Sequence, residues 1–186
     1  MKTASFEKSL LIPFMILISI ALLSNSAQAA SAAVIDVKVN EAFDRFYKEV
    51  NSAKELVRKS HGILVFPSVV KAGIGIGGEY GEGALRVNGK TVDYYNTAAV
   101  SIGLQLGAQA KTVILLFMTK EALSNFRNSK GWKVGVDGSV ALVKVGAGGS
   151  LDTTKIKEPI LGFVIGQKGL MYNLTLEGSK ITKINK

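Results

Sequence analysis

Lys71-Ala-Gly-Ile-Gly-Ile-Gly-Gly-Glu-Tyr-Gly-Glu-Gly-Ala-Leu85 carries glycines at 73, 75, 77, 78, 81 and 83. No helix interior tolerates that density, because each glycine costs about 1 kcal/mol there relative to alanine. The stretch is therefore extended or looped. In an extended chain alternate residues share a face, so Ile74 and Ile76 point one way while Gly73, Gly75 and Gly77 leave the other bare. A bare face admits close approach of backbone or of a ligand. The letters Gly73-x-Gly75-x-x-Gly78 also satisfy the dinucleotide fingerprint, which holds a pyrophosphate only where a helix begins directly after the glycines. Here Glu79-Tyr-Gly-Glu-Gly83 follows instead, so a glycine-rich sheet is favoured over nucleotide binding.

Strand patterns extend on both sides. Ile63 to Phe66 is a short apolar run stopped by Pro67, and Ala84 to Val87 with Thr91 to Tyr95 flank Asn88-Gly89, a strong hairpin signal because both turn positions favour positive φ. Val100 to Ala110 alternates and contains Gly103 and Gly107, Thr112 to Met118 reads as a buried strand, and Trp132 to Val136, Ser139 to Val145, Ile160 to Ile165, Leu170 to Leu176 and Lys180 to Ile184 follow. Two helices interrupt them. Val34 to His61 carries Val39, Phe43, Phe46, Val50, Ala53 and Val57 at three- and four-residue steps and predicts one long amphipathic helix ended by Gly62. Thr119 caps a short one over Lys120 to Asn128, with Ala122, Leu123 and Phe126 facing inward. The class is α+β: a long N-terminal amphipathic helix packed on a strongly curved, mainly antiparallel glycine-rich sheet or partial barrel, with one further short helix.

Residues 1–29 read as a cleaved secretory signal peptide. Lys2 and Lys8 precede an apolar run from Leu10 to Leu23, and Ala27-Gln-Ala29 is a small-residue cleavage site. The run is shorter than the roughly 20 residues that a membrane span needs. Residues 30–186 then form a single domain, exported to the periplasm or envelope. The chain has no cysteine, so no disulfide staples it.

Charge is unevenly spread. Residues 34–61 hold six basic and five acidic groups, and residues 62–110 three of each, whereas residues 111–186 hold twelve basic against five acidic. A basic exported protein meets phospholipid head groups and other envelope polyanions rather than nucleic acid. The first helix pairs acids with bases four residues on, Glu41 with Arg45, Asp44 with Lys48 and Glu55 with Lys59. Its polar face is nearly neutral, which favours packing on the sheet over lying in a membrane surface.

Catalytic chemistry is poorly supplied. His61 is the only histidine, it stands at a helix end where a partly charged ring suits the dipole, and no cysteine accompanies it toward a metal site. Ala99-Val-Ser101-Ile-Gly103 resembles a nucleophile elbow only in its letters, because the histidine precedes the serine. Glu79 and Glu82, three apart in a strand, face opposite sides and make no acid–base pair. No catalytic residue, metal or cofactor is expected.

Six blocks in order, His61–Leu85, Tyr94-Tyr-Asn-Thr97, Ser101–Gln109, Leu115–Leu123, Gly131–Leu142 and Gly169–Ile181, resemble the SYLF domain family, also called the yeast actin-binding domain family. The resemblance implies a non-enzymatic lipid-binding module. Some eukaryotic relatives also bundle actin, a role not carried over to an exported bacterial protein. Joined to the charge, it points to docking on anionic phospholipid through Arg127, Lys130, Trp132 and Lys133, three cations around the only tryptophan. The alternatives are a carrier that holds an apolar molecule against the face bared by Gly73, Gly75, Gly77, Gly103 and Gly107, and a structural or host-directed interaction protein.

Overall fold

The computed structural model describes residues 30–103, 108–143, 157–166, 169–170, 176 and 178–186. The expected signal peptide, Gly107, the Gly146–Gly149 run and most of the expected Leu170 to Leu176 strand lie outside them. Helix α1 spans Ala32–Glu49 and α2 spans Ala53–Lys59. Strands β1 (Gly62–Val87), β2 (Lys90–Gly103) and β3 (Ala108–Phe117) come next, then α3 (Lys120–Asn128). The short β4 (Trp132–Lys133) and β5 (Ala141–Leu142), then β6 (Ile160–Gly166), β7 (Gly169–Leu170) and β8 (Lys180–Ile184) complete the sheet. Its order is β4-β8-β2-β1-β3-β6-β5, with β7 on β6. Among the described strand pairs only β5–β6 is parallel. The fold is α+β, a half-barrel under an N-terminal helix, as the sequence predicts.

The glycine-rich stretch sits inside one strand of 26 residues. Residues 62–72 of β1 pair with β3, and residues 75–87 pair with β2. Pro67 does not end the strand, contrary to expectation. The register slips between Phe66 and Val69, a bulge in which a residue without an N–H costs no ladder bond, and Thr112 Oγ1 ties it by donating to the Pro67 carbonyl at 2.9 Å. Beyond the bulge the strand doubles back over itself. A Cβ on Gly81 would stand 2.8 Å from the Ser68 carbonyl oxygen, and one on Gly83 would stand 2.7 Å from Phe66 Cδ1 and collide with the Val65 carbonyl. At Gly81 and Gly83 the strand therefore receives the protein's own backbone. At Asn88-Gly89 the φ angles of 52° and 75° give the tight turn that the dipeptide predicts.

The first helix is two. Val50 is extended at φ −126°, ψ 106°, and α2 starts after Ser52. Asn51 and Ser52 favour turns over helix interiors because their side chains compete for backbone groups. The apolar stripe survives the break: Ile35, Val39, Ala42, Phe46, Val50, Ala53 and Leu56 are buried against Ile63, Val65, Ala84, Ile114, Leu116, Leu161, Phe163 and Ile165 of the sheet. The ion pairs differ in part, for Glu55 does meet Lys59, at 2.6 Å, while Arg45 pairs with Glu49 and donates to the Gly166 carbonyl.

The concave side forms a second core of Leu64, Phe66, Val69, Leu85, Tyr95, Val113, Leu115, Phe117, Val164 and Ile181, closed by Phe126 of α3 and by Trp132. Phe126 stacks within 4.9 Å of both Tyr95 and Phe117 and meets Trp132 edge-on at 5.6 Å. Thr119 caps α3 through its hydroxyl, which accepts from the Ala122 N–H at 3.1 Å. Strand β6 is buried along its whole length because both of its faces are covered.

The self-crossing makes a sharp prediction. Gly83→Ala should cost at least about 3 kcal/mol in urea unfolding, since neither the Val65 carbonyl nor the Phe66 ring can retreat without unpairing β1. Gly78→Ala, whose Cβ would lie 3.8 Å from the nearest atom, the Ala99 oxygen, should cost less than about 1 kcal/mol. Equal costs at the two positions would show that the crossing is not what these glycines serve.

Candidate anion-binding site

The Asn88-Gly89 turn brings together residues remote in sequence. On one side a groove of about 510 Å³ is lined by Arg58 of α2, His61, Arg86 of β1, Asp44 and Tyr47 among others. On the other, a groove of about 660 Å³ is lined by His61, Asp93 of β2, Lys120 and Arg127 of α3, and Lys183 of β8. His61 and Asn88 line both. Five cations thus face two carboxylates, Asp44 and Asp93, with exposed Lys90 directly after the turn. Each element contributes for a local reason: α2 and α3 end in Arg58-Lys59 and Arg127, where cations suit the carbonyl ends, and β8 runs beside β2, with Lys183 opposite Tyr95.

Asp93 organises the second groove. It is 9% exposed, accepts from Arg127 Nε at 3.2 Å and pairs with both Arg127 Nη2 and Lys183 Nζ. One carboxylate that holds two cations leaves the groove positive. Arg86 pairs loosely with Asp36 at 3.8 Å, stands 5.8 Å above the Phe43 ring, and keeps its Nε buried without a partner. The buried Tyr95 hydroxyl is also unpartnered. Burial, helped by the Asp93 charge and opposed by Arg127, pushes this phenol up to about 12.

The four residues expected to dock lipid are separated. Arg127 enters the Asp93 groove. Trp132 is 2% exposed and packs so closely under Gly138 that a Cβ there would stand 2.6 Å from its ring, so the indole belongs to the core and not to a surface that meets a membrane. Lys130 and Lys133 are exposed, and Lys133 lies opposite Lys180 where β4 edges the sheet. Edge lysines also discourage strand pairing with other molecules. Sequence spacing could not find Arg58, His61, Arg86, Lys120 and Lys183 as a group, although the turn that gathers them was legible.

The carrier face fares differently. Gly75 and Gly77 lie opposite Gly103 and Ser101 in the β1–β2 pair, and Gly73 is in β1. Among the described residues the space in the concave interior beside Glu79, Thr97, Lys111 and Ser179 is about 10 Å³, room for one water at most, while a groove of about 900 Å³ runs beside Gly78 and Gly81 where Ile35 and Lys38 of α1 line it. Glu79 points into that interior and is paired with Lys71 at 3.6 Å and with Lys111 at 2.6 Å, the latter without hydrogen-bond alignment. Glu82 faces the other way, so the two acids are indeed separated. The G-x-G-x-x-G letters lie within β1 with no helix after them, and Ser101 is in mid-sheet rather than at a strand-to-helix turn. No cluster of metal-binding side chains occurs among the described residues, and no described helix is long and apolar enough to cross a membrane.

A half-barrel under an N-terminal helix, with a basic end, defines a binding module. Residues 98–186 match the family model Ysc84, described as Las17-binding protein actin regulator. That is the family the six sequence blocks resemble, and the match covers the second half of the chain. No curated protein matches the chain.

Tyr95 gives a pH test of the site. A phenol whose pKa is higher folded than unfolded stabilises the fold below its ordinary value of 10.0, and that contribution is lost as pH rises toward about 12. Tyr95→Phe should flatten the fall of stability between pH 10 and 12 and, because it removes an unpartnered buried hydroxyl, should shift Tm at pH 7 by no more than about 2 °C in either direction. An unchanged alkaline slope would contradict the burial of this hydroxyl.

Proposed function

We propose that this exported, non-enzymatic domain docks on anionic phospholipid with the basic end around the Asn88-Gly89 turn. The observation that carries the reading is the gathering of Arg58, Arg86, Lys120, Arg127 and Lys183 around two carboxylates, next to the lysine edge of β4 and β8. The family match over residues 98–186 supports a binding role. The actin role in the family description is set aside for this chain, because its leader predicts passage out of the cytoplasm.

Docking here is electrostatic and shallow. Head-group phosphates accept from guanidinium and ammonium donors in the grooves, and each cation that reaches an anionic leaflet contributes about 1 kcal/mol. Trp132 takes no direct part.

Co-sedimentation with phosphatidylglycerol-containing against pure phosphatidylcholine vesicles tests the reading. Binding should need the anionic lipid and weaken steeply between about 50 and 300 mM salt. Arg58→Ala with Lys120→Ala, neither of which touches Asp93, should lower affinity roughly twentyfold, about fivefold per cation, while Lys38→Ala, in a different groove, should change little. Equal binding to both vesicles, or none to either, would overturn the proposal.

A further inference from the structure

Ala30, two residues ahead of α1, is held by a carboxylate. The Ala30 N–H donates to Glu82 Oε2 at 3.1 Å, Lys186 Nζ donates to the same oxygen at 2.9 Å and to the Ala30 carbonyl at 2.9 Å, and the Tyr80 hydroxyl donates to Glu82 Oε1 at 3.0 Å. Glu82 and Lys186 are nearly enclosed, with side chains 11% and 9% exposed. Burial pushes the Glu82 carboxyl up, but Lys186, Tyr80 and the Ala30 N–H outweigh it and leave the net below the ordinary carboxylate range. Ala30 is also the residue that follows the Ala27-Gln-Ala29 cleavage signal.

We propose that Glu82 is the receptor for the processed amino terminus. Signal-peptidase hydrolysis adds water across the Ala29–Ala30 amide: the water oxygen goes to the Ala29 carbonyl carbon, which departs as a carboxylate, and the Ala30 nitrogen keeps the bond's electron pair and takes up both of the water's protons to become an ammonium. A neutral N–H contact of 3.1 Å becomes an ion pair in a nearly enclosed site, one residue before Ser31, the N-cap of α1. The lock therefore pins α1 to β1 and to the segment after β8, and it closes only once the leader is gone, so stability is added after passage through the membrane rather than before it. The groups that face it are Glu82 and Tyr80 of β1, Lys186, and Lys38 of α1, which lines the same groove as Ala30. This inference rests on the cleavage reading and is independent of lipid docking.

The test exports the full chain from a bacterial host. The mass of the product should place its first residue at Ala30. Its α-amine, titrated by NMR, should lie above the ordinary α-amino range of about 7.7–8.0 and return to that range in Glu82→Gln. Insertion of Ser-Gly between Ala29 and Ala30, with cleavage still after Ala29, carries the ammonium away while it leaves the Glu82–Lys186 pair in place. That product should melt about 2–4 °C lower at pH 7. A raised folded pKa stabilises below the ordinary α-amino value, so the difference should vanish as pH climbs through the folded value. A different first residue, an amine in the ordinary range in the native chain, or equal Tm for the inserted chain at pH 7 would each overturn the proposal, and none of them bears on vesicle binding.

Discussion

Everything in this fold is arranged around a strand that passes over its own beginning. Residues 81–83 of β1 run across residues 65–69 at a separation no side chain would permit, with Gly81 against the Ser68 carbonyl and Gly83 against Val65 and Phe66. Because of that approach, the two halves of one 26-residue strand serve two neighbours, β3 and β2, and a single sheet curls far enough to enclose a core on its concave side while α1 covers the other. Backbone crossing this tight replaces side-chain packing, which explains the glycines at 81 and 83.

The curl also decides what meets at the end of the molecule. With the crossing made, the Asn88-Gly89 turn stands between the end of α2 and α3, and β8 lies next to β2. Cations from residues 58, 86, 120, 127 and 183 thus share two adjoining grooves. Asp93 holds two of them and so sets their positions without cancelling their charge. Buried aromatic contacts between Phe126, Tyr95 and Phe117 fix α3, and hence Lys120 and Arg127, relative to the sheet. A basic surface mounted on a rigid core loses little conformational entropy when it binds a planar array of charges.

Much of this was legible in the sequence, and the failures have physical causes. The Asn-Gly turn, the Thr119 cap and strand β8 depend on local chemistry, and all three stand where the letters put them. Pro67 looked like a terminator because local rules cannot tell a bulge from an end; that depends on a partner strand 45 residues away, whose Thr112 holds the Pro67 carbonyl. The helix break at Asn51-Ser52 was hidden by an apolar stripe that continues through it. At the site, the notion of cations around a surface tryptophan failed for Trp132, because an indole set edge-on to Phe126 of α3 within the core is better buried than wet. The excess of charge in residues 111–186 was visible, but its meeting with Arg58 and Arg86 from the first half is a product of the crossing.

The central claim is that the curled sheet presents its basic end to an anionic surface. Amide hydrogen exchange of the processed protein, with and without phosphatidylglycerol vesicles, addresses it most directly. The account predicts new protection confined to residues 58–62, 86–93, 120–128 and 180–184, with the exposed face of α1 unchanged. Protection spread along α1, with those four segments unaffected, would contradict it.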